Sequence, residues 1–180
     1  MNSLIGMLEY SKIIIKRYSD LNAIAVDMTL GKGNDSLFLA DYFKKVYSFD
    51  IQQEAIELSK EKLDDCYNIE IIKDSHEFFD SYINESVKLF IYNLGYLPGF
   101  SKEITTMVIS TINSLKKALV YLEHKGIIIL VIYPGHPQGK DESMAIDEFV
   151  FSLSKGTFNI SKYQIISSDD APYVICIHKK

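Results

Sequence analysis

Short apolar runs that suit β-strands alternate along this chain with segments of helical periodicity, and this alternation constrains the fold more than any other feature. The predicted strands, in chain order, are 23–27, 46–49, 69–72, 87–92, 127–133, 158–167 and 173–178. The predicted helices are 3–18, 36–43, 53–65, 77–82, 103–122 and 142–154. Because strands that alternate with helices form βαβ units, we predict an α/β fold with a mostly parallel sheet and helices on both faces.

The last part of the chain departs from this alternation. Segments 158–167 and 173–178 follow each other with no helix between them, so we predict that the final strand is antiparallel and near the edge of the sheet. The run 127–132 is continuously apolar, which is typical of a central strand. The predicted helix caps are Asn34 or Asp35 and Ser101 at N-termini, and Gly126 at a C-terminus.

The composition is that of an ordinary globular protein. Hydrophobic residues make up 47% of the chain and charged residues 24%, which excludes an intrinsically disordered chain. The longest aliphatic run is far shorter than the roughly 18–20 residues that span a bilayer, so no membrane segment is expected. No repeat or linker divides the chain, and we predict one domain over 1–180, with an N-terminal helix in 1–20 and the sheet in 21–180.

The N-terminus and the cysteines indicate a cytoplasmic protein. Charged residues interrupt the N-terminal apolar stretches and no small-residue cleavage site follows, so no signal peptide is expected. Cys66 and Cys176 lack the spacing of a disulfide scaffold or a zinc site, and we expect two buried thiols. The net charge of −5 and the single arginine, Arg17, argue mildly against nucleic acid, since phosphate binding usually appears as a basic excess.

A glycine-bearing turn follows the first strand, in the stretch Asp27-Met-Thr-Leu-Gly-Lys-Gly33. Its glycines let a ligand approach the backbone closely. The turn departs from a dinucleotide fingerprint, because Ser36 stands where that pattern needs Gly or Ala and the acid Asp27 would repel a pyrophosphate. An acid here can accept hydrogen bonds from an ammonium, which suits the amino-acid end of S-adenosylmethionine (SAM). The alternative is a glycine turn that serves only the path of the chain.

Polar residues also follow the second and third strands. Asp50 ends the second strand, where an acid can hold both ribose hydroxyls of NAD or of SAM, and the alternative is a carboxylate that caps the next helix. Ser75 and His76 follow the third strand and can touch an adenine edge. Capping of the next helix by Asp74 or Ser75 is an equally weighted alternative.

The fourth and fifth strands end in segments that suit a methyl acceptor. Asn93 offers a carboxamide oxygen that can accept from an amine, and Tyr96 offers a face for stacking a base. The alternative for this segment is a β-turn closed by Pro98-Gly99. His136 lies between two prolines in a stiff loop, where it can act as a base or contact the substrate. No second His or Cys lies at metal-ligand spacing, so no metal is expected.

One family shows a similar order and spacing of motifs. The matching stretches are Asp27-x-Thr-x-Gly-x-Gly-Asn-Asp35, Phe49-Asp-Ile-Gln52, Asn93-Leu-Gly-Tyr-Leu-Pro-Gly99, Ile104-Thr-Thr106, and Tyr133-Pro-Gly-His-Pro-x-Gly139 with Glu142. Over residues 20–180 the chain resembles the class I methyltransferases known as rRNA methylases and also called YtqB-like or MnmM. The resemblance implies a Rossmann-like fold with a seven-stranded, mostly parallel sheet and one antiparallel strand.

The resemblance also implies an activity. Members transfer a methyl group from SAM to the exocyclic amine of 5-aminomethyl-(2-thio)uridine at the tRNA wobble position, giving the 5-methylaminomethyl form and S-adenosylhomocysteine (SAH). The implied partner is the tRNA anticodon region, and a homodimer is a reasonable expectation. The implied donor-binding residues are Asp27, Thr29, Gly31, Gly33, Asn34, Asp35, Asp50, Gln52, Ser75, His76 and Asn93, and the implied acceptor-facing residues are Asn93, Tyr96 and His136.

Several other functions stay open at this point. A nicotinamide-dependent oxidoreductase would share the acid Asp50, although the third glycine is missing and Asp27 stands in the wrong place. The same fold can also serve an rRNA or small-molecule N-methyltransferase. A non-catalytic module that binds SAM or RNA is the alternative outside enzymology. The acidic charge suits RNA poorly, but an anticodon loop can be held through few phosphates and stacked bases.

Overall fold

The computed structural model describes residues 5–95, 107–135, 137–166 and 170–180 of the chain. Its α-helices are α1 (Met7–Arg17), α2 (Asn34–Ala40), α3 (Gln53–Leu63), α4 (Val108–Tyr121) and α5 (Pro137–Ser152). Its strands are β1 (Asp20–Asp27), β2 (Phe43–Asp50), β3 (Ile69–Lys73), β4 (Val87–Asn93), β5 (Leu122–Ile132), β6 (Phe158–Gln164) and β7 (Tyr173–Lys179). A 3₁₀ helix, His76–Ser81, lies between β3 and β4.

The strands form one seven-stranded sheet in the order β3-β2-β1-β4-β5-β7-β6. Neighbours from β3 through β5 are parallel, and β7 runs antiparallel to both β5 and β6. This arrangement confirms the predicted α/β fold with a mostly parallel sheet and one antiparallel strand. The antiparallel strand is inserted between β5 and β6, so β6 forms the edge of the sheet.

Alternate residues of the central strands serve two different cores. Phe90 and Tyr92 of β4 pack with the 3₁₀ helix, α4 and α5, whereas Leu89 and Ile91 pack with α1 and α2. This division follows from the two-residue period of a strand. The run 127–132 of β5 is at most 2% exposed, so its continuous apolar character reflects burial on both faces.

One predicted N-terminal cap, Asn34 or Asp35, is wrong. Helix α2 begins after Gly33, whose left-handed backbone (φ of +74°) is the N-cap, and no side chain caps the helix. Asn34 and Asp35 therefore leave their side chains for other contacts. Helix α4 begins at Val108 with Met107 at its N-cap, and the predicted cap, Ser101, lies outside the described residues.

The predicted C-terminal cap, Gly126, lies instead inside β5. Helix α4 ends directly before β5 begins at Leu122. An added Cβ at Gly126 would lie 2.9 Å from the carbonyl oxygens of both Glu123 and Lys88. The glycine is required by the close approach of β4 and β5 and not by a helix terminus.

Helix α1 is held against the sheet through both apolar and aromatic contacts. Met7 and Ile15 are buried in the same core cluster as residues of β5 and β7. The hydroxyl of Tyr163 on β6 donates a 2.9 Å hydrogen bond to the carbonyl oxygen of Ile5. Its ring stacks on Tyr10 with a centroid separation of 4.2 Å. These contacts place one face of α1 beside the carboxyl ends of the strands.

The cysteines only partly match the expectation of two buried thiols. Both are free; Cys176 is buried and Cys66 is half-buried. Burial raises the pKa of the Cys176 thiol to about 12. Within the described ranges, no helix has the length and apolar character that a membrane crossing requires.

Candidate active site

A cavity of about 850 Å³ lies at the carboxyl edge of the sheet. The segments that follow β1, β2, β4 and β5 line it, together with α1. The predicted site residues on its wall are Thr29, Gly31, Asn34, Asp35, Asp50, Gln52 and Asn93. A volume of this order is typical of small-molecule and cofactor sites. The fold thus brings most of the predicted donor-binding residues, which are far apart in sequence, into one cavity.

The glycine turn after β1 contains two left-handed residues, Gly31 with φ of +50° and Gly33 with φ of +74°. Gly31 lies on the cavity wall, and Gly33 is buried behind it. An added Cβ at Gly33 would lie 3.1 Å from Leu63 Cδ1 and 3.2 Å from Ser59 Cβ. Gly31 is therefore placed to let a ligand approach the backbone, whereas Gly33 allows α3 to pack against the turn.

Asp27 lies beneath this turn and does not line the cavity. Its carboxylate accepts hydrogen bonds from the Thr29 backbone N–H at 3.0 Å and from the Ser36 hydroxyl at 2.6 Å. Complete burial raises the pKa of Asp27 to about 7, and the negative charge of Asp35 adds to the rise. Ser36 stands where the dinucleotide fingerprint has Gly or Ala. The hydrogen bond to Asp27 accounts for a serine at this position, because neither Gly nor Ala has a hydroxyl group to donate.

Asp50 is half-buried at the end of β2 and faces the cavity. Its two carboxylate oxygens accept from the backbone N–H groups of Gly31 at 2.9 Å and Gln52 at 3.0 Å. Burial raises the pKa of Asp50. The bond from Gln52 satisfies the start of α3, so the capping alternative describes part of its role. The bond from Gly31 also joins the carboxylate to the glycine turn.

Asn93 and Asp35 both line the cavity, and a hydrogen bond joins their side chains. The Asn93 backbone N–H donates to Thr29 Oγ1 at 2.7 Å, which ties the end of β4 to the glycine turn. The Asn93 side-chain amide donates to Asp35 Oδ2 at 3.3 Å. This bond uses the amide nitrogen and orients the carboxamide oxygen as an acceptor. Burial raises the pKa of Asp35, and the charge of Lys12 acts in the opposite direction.

A second, smaller cavity of about 80 Å³ adjoins the first and shares Thr29, Asp50 and Gln52 with it. Ser75 and His76 line it, as does Phe49. Ser75 Oγ accepts from the Glu77 backbone N–H at 3.2 Å, so the capping alternative for Ser75 is correct.

The ring of His76 is almost completely buried. Its Nδ1 lies 3.2 Å from the carbonyl oxygen of Met28, a contact that requires Nδ1 to carry the proton and donate. Burial lowers the pKa of His76 to about 4, so the imidazole is neutral at physiological pH. In the described part of the structure Nε2 has no hydrogen-bond partner. In this tautomer Nε2 is a buried hydrogen-bond acceptor, on a residue that lines the smaller cavity.

Comparison with known proteins shows the family of this chain. The model of the family described as "Putative rRNA methylase" matches residues 46–179 of this chain. The chain belongs to that family. Its members are SAM-dependent methyltransferases, and this membership decides against the nicotinamide-dependent alternative.

Three relatives match this protein over nearly the whole of its chain. A structure from Clostridium thermocellum, described as a putative rRNA-methylase, is 34% identical with a TM-score of 0.95 and covers 99% of this chain and 100% of its own. A putative methyltransferase from Streptococcus mutans, solved in complex with SAH, is 33% identical with a TM-score of 0.91 over 100% of both chains. The tRNA (mnm(5)s(2)U34)-methyltransferase, chloroplastic, of Arabidopsis thaliana is 28% identical, covering 96% of this chain and 69% of the relative.

Two predicted acceptor-facing residues of this methyltransferase, Tyr96 and His136, lie outside the described residues. Their roles stay predictions. No group of three or more His, Cys, Asp or Glu side chains that could hold a metal ion occurs within the described ranges.

The sequence reasoning missed several residues of the methyltransferase cavity. Leu8 and Lys12 of α1, Phe38 of α2 and Tyr133 after β5 all line it. Tyr133 begins one of the motif stretches that match the family, and this position in the motif could have indicated that it lines the site. Lys12 carried no local signal, because a lysine on the polar face of an amphipathic helix has the pattern of an ordinary solvated residue.

Proposed function

We propose that this methyltransferase transfers the methyl group of SAM to the exocyclic amine of 5-aminomethyl-(2-thio)uridine at the tRNA wobble position, giving the 5-methylaminomethyl form. The observation that carries the proposal is the placement of Asn93 beside the glycine turn on the wall of the larger cavity. The name of the Arabidopsis relative supports the choice of acceptor.

The residues present fit the donor. Asp50 faces both cavities, and its carboxylate can accept from the two ribose hydroxyls. The smaller cavity beside it suits the adenine, with Ser75 and His76 in its lining. Gly31 allows close approach of the methionine part, and Asp35 offers a carboxylate for its ammonium. Asp27, which lies beneath the turn, acts by holding that turn in shape.

Asn93 positions the acceptor in this proposal. Its amide nitrogen is engaged by Asp35, so its carboxamide oxygen can accept a hydrogen from the substrate amine and align the nitrogen lone pair. The amine must be neutral, since an ammonium has no lone pair; by analogy with lysine its pKa in water is about 10, and partial desolvation lowers it. When bound, SAM supplies an electrophilic methyl group. Positioning alone can provide much of the rate, so the residues need not include a dedicated base.

The test is a nucleoside mass analysis of tRNA carrying wobble 5-aminomethyluridine after incubation with the protein and SAM. We expect a gain of one methyl group on that nucleoside. Asn93→Ala should lose most of the turnover and keep its SAH affinity, because the side chain orients the acceptor. Asn159→Ala, an exposed asparagine on β6, is the matched control and should retain activity.

A wild-type protein that binds SAH and leaves this nucleoside unmethylated would contradict the proposed acceptor. The family description then makes ribosomal RNA the next substrate to test, followed by small-molecule amines. Equal losses of SAH affinity and turnover in Asn93→Ala would move Asn93 from the acceptor to the donor site.

A further inference from the structure

Lys12 of α1 and Asp35 of α2 line the same cavity from neighbouring walls. The ammonium of Lys12 lies 5.1 Å from the centre of the Phe38 ring, which also belongs to α2 and also lines the cavity. A cation held over this ring is stabilised by the π-electrons of its face. The Lys12 side chain is therefore directed across the cavity mouth toward α2.

These two side chains carry opposite charges but do not form an ion pair with each other, although both lie within the described residues. Lys12 reaches the helix that carries Asp35, since Phe38 lies three residues after Asp35 on α2. In keeping with this placement, the charge of Lys12 lowers the pKa of Asp35 against the effect of burial. Among the charged groups that line the cavity, Lys12 and Asp35 thus offer a cation and an anion that a ligand can contact separately.

The backbone that carries Lys12 is well anchored. Ile15 is completely buried and Met7 nearly so, and Tyr163 donates a hydrogen bond to the carbonyl oxygen of Ile5, two residues before the helix begins. A rigid helix lowers the entropy that Lys12 loses when it binds a ligand. Helix α1 lies outside residues 46–179, the part of the chain that matches the family model.

We propose that Lys12 binds the carboxylate of the amino-acid end of SAM while Asp35 accepts from its ammonium. An α-amino acid carries both charges on one carbon, so a cation and an anion on adjoining walls match it as a pair. This proposal makes α1 part of the donor site. It rests on SAM as the donor and is independent of the tRNA acceptor.

The test compares two ligands by titration calorimetry on the Lys12→Gln variant. SAH has the amino-acid end, and 5′-methylthioadenosine has the same adenosine and thioether without it. We expect the SAH affinity to fall about 10- to 100-fold, the range for a lost hydrogen bond to a charged group. The affinity for 5′-methylthioadenosine should change by less than about 2-fold, since that ligand has no carboxylate for Lys12 to contact.

Lys155→Gln is the matched control, because Lys155 is exposed in the turn before β6, at the opposite end of the sheet. It should leave both affinities unchanged. Lys12 is itself exposed, so Lys12→Gln is expected to fold.

Two results would overturn the proposal. Unchanged SAH affinity in Lys12→Gln would exclude a carboxylate contact, and a simultaneous loss of tRNA affinity would assign Lys12 to an RNA phosphate. Equal weakening of both ligands would show an effect on the adenosine site or on the fold. Because no RNA is present in the titrations, failure of the wobble-uridine assay leaves this test intact.

Discussion

At the residue scale, Asp27 couples the stability of the protein to pH. Burial raises its pKa from the ordinary value of 3.8 to about 7. Between these values the folded protein keeps a proton on Asp27 that the unfolded chain has lost. Unfolding then releases a proton, so the contribution of Asp27 lowers the free energy of unfolding as pH rises from about 4 to about 7.

Asp27→Asn is expected to remove this contribution, because the amide keeps the shape of the side chain and does not titrate. Urea unfolding of both proteins between about pH 5 and pH 8 measures it as a difference between two curves. The buried His76, whose lowered pKa has the opposite effect below about pH 6.5, is present in both proteins and cancels.

In that difference, the wild type should lose stability relative to Asp27→Asn as pH rises. The exposed Asp64 provides the control, since Asp64→Asn should run parallel to the wild type. Parallel curves for Asp27→Asn and the wild type would refute the assignment of a raised pKa to this carboxyl group.

At the scale of elements, the turn between β1 and α2 depends on Gly33. Its φ of +74° is unfavourable for any residue with a Cβ, and that Cβ would press on Leu63 and Ser59 of α3. We expect Gly33→Ala to destabilise the protein by about 1–2 kcal/mol and to weaken SAH binding as the turn shifts. Thermal unfolding and titration calorimetry measure the two effects.

Gly6→Ala is the matched control for this element. Gly6 precedes α1 with an ordinary φ of −70°, and no atom lies within 4 Å of an added Cβ. Its substitution should leave SAH affinity unchanged and should cost less stability than Gly33→Ala, because the only loss is that of glycine at the N-cap of α1. Equal effects of Gly33→Ala and Gly6→Ala on stability and SAH affinity would contradict the requirement for glycine at position 33.

At the scale of the whole molecule, the charge distribution limits how RNA can be held. The net charge is −5, and in the described lining of the larger cavity Lys12 and Lys32 are outnumbered by four aspartates. If tRNA is the substrate, few phosphates are neutralised on binding. We expect the logarithm of tRNA affinity to fall against the logarithm of salt concentration with a slope no steeper than about −3.

Lys32→Gln should flatten that slope by about 0.7–0.9, the contribution of one phosphate contact. Lys155→Gln removes the same charge at the far end of the sheet and should leave the slope unchanged. Filter binding or fluorescence anisotropy over a salt series measures both. A much steeper slope in the wild type would reveal an extended basic surface and a different mode of RNA binding.

Local patterns predicted the fold well, because strand and helix periods are properties of neighbouring residues. The same logic indicated the candidate site, since the carboxyl ends of parallel strands meet at one edge, and Asp50 and Asn93, which stand at such ends, line one cavity. The caps were less predictable. Gly126 follows a helical pattern, but the approach of Lys88 on another strand decides its role.

The sequence alone determined the alternation of strands and helices, the glycine turn and the polar residues at the strand ends. Only the tertiary structure decided that Ser36 donates to Asp27 beneath the turn and that Lys12 shares a cavity with Asp35. The physical reason is the range of the interactions. Periodicity and turn chemistry act between neighbours in the chain, whereas burial and the pairing of charges depend on which distant segments the packed core brings together.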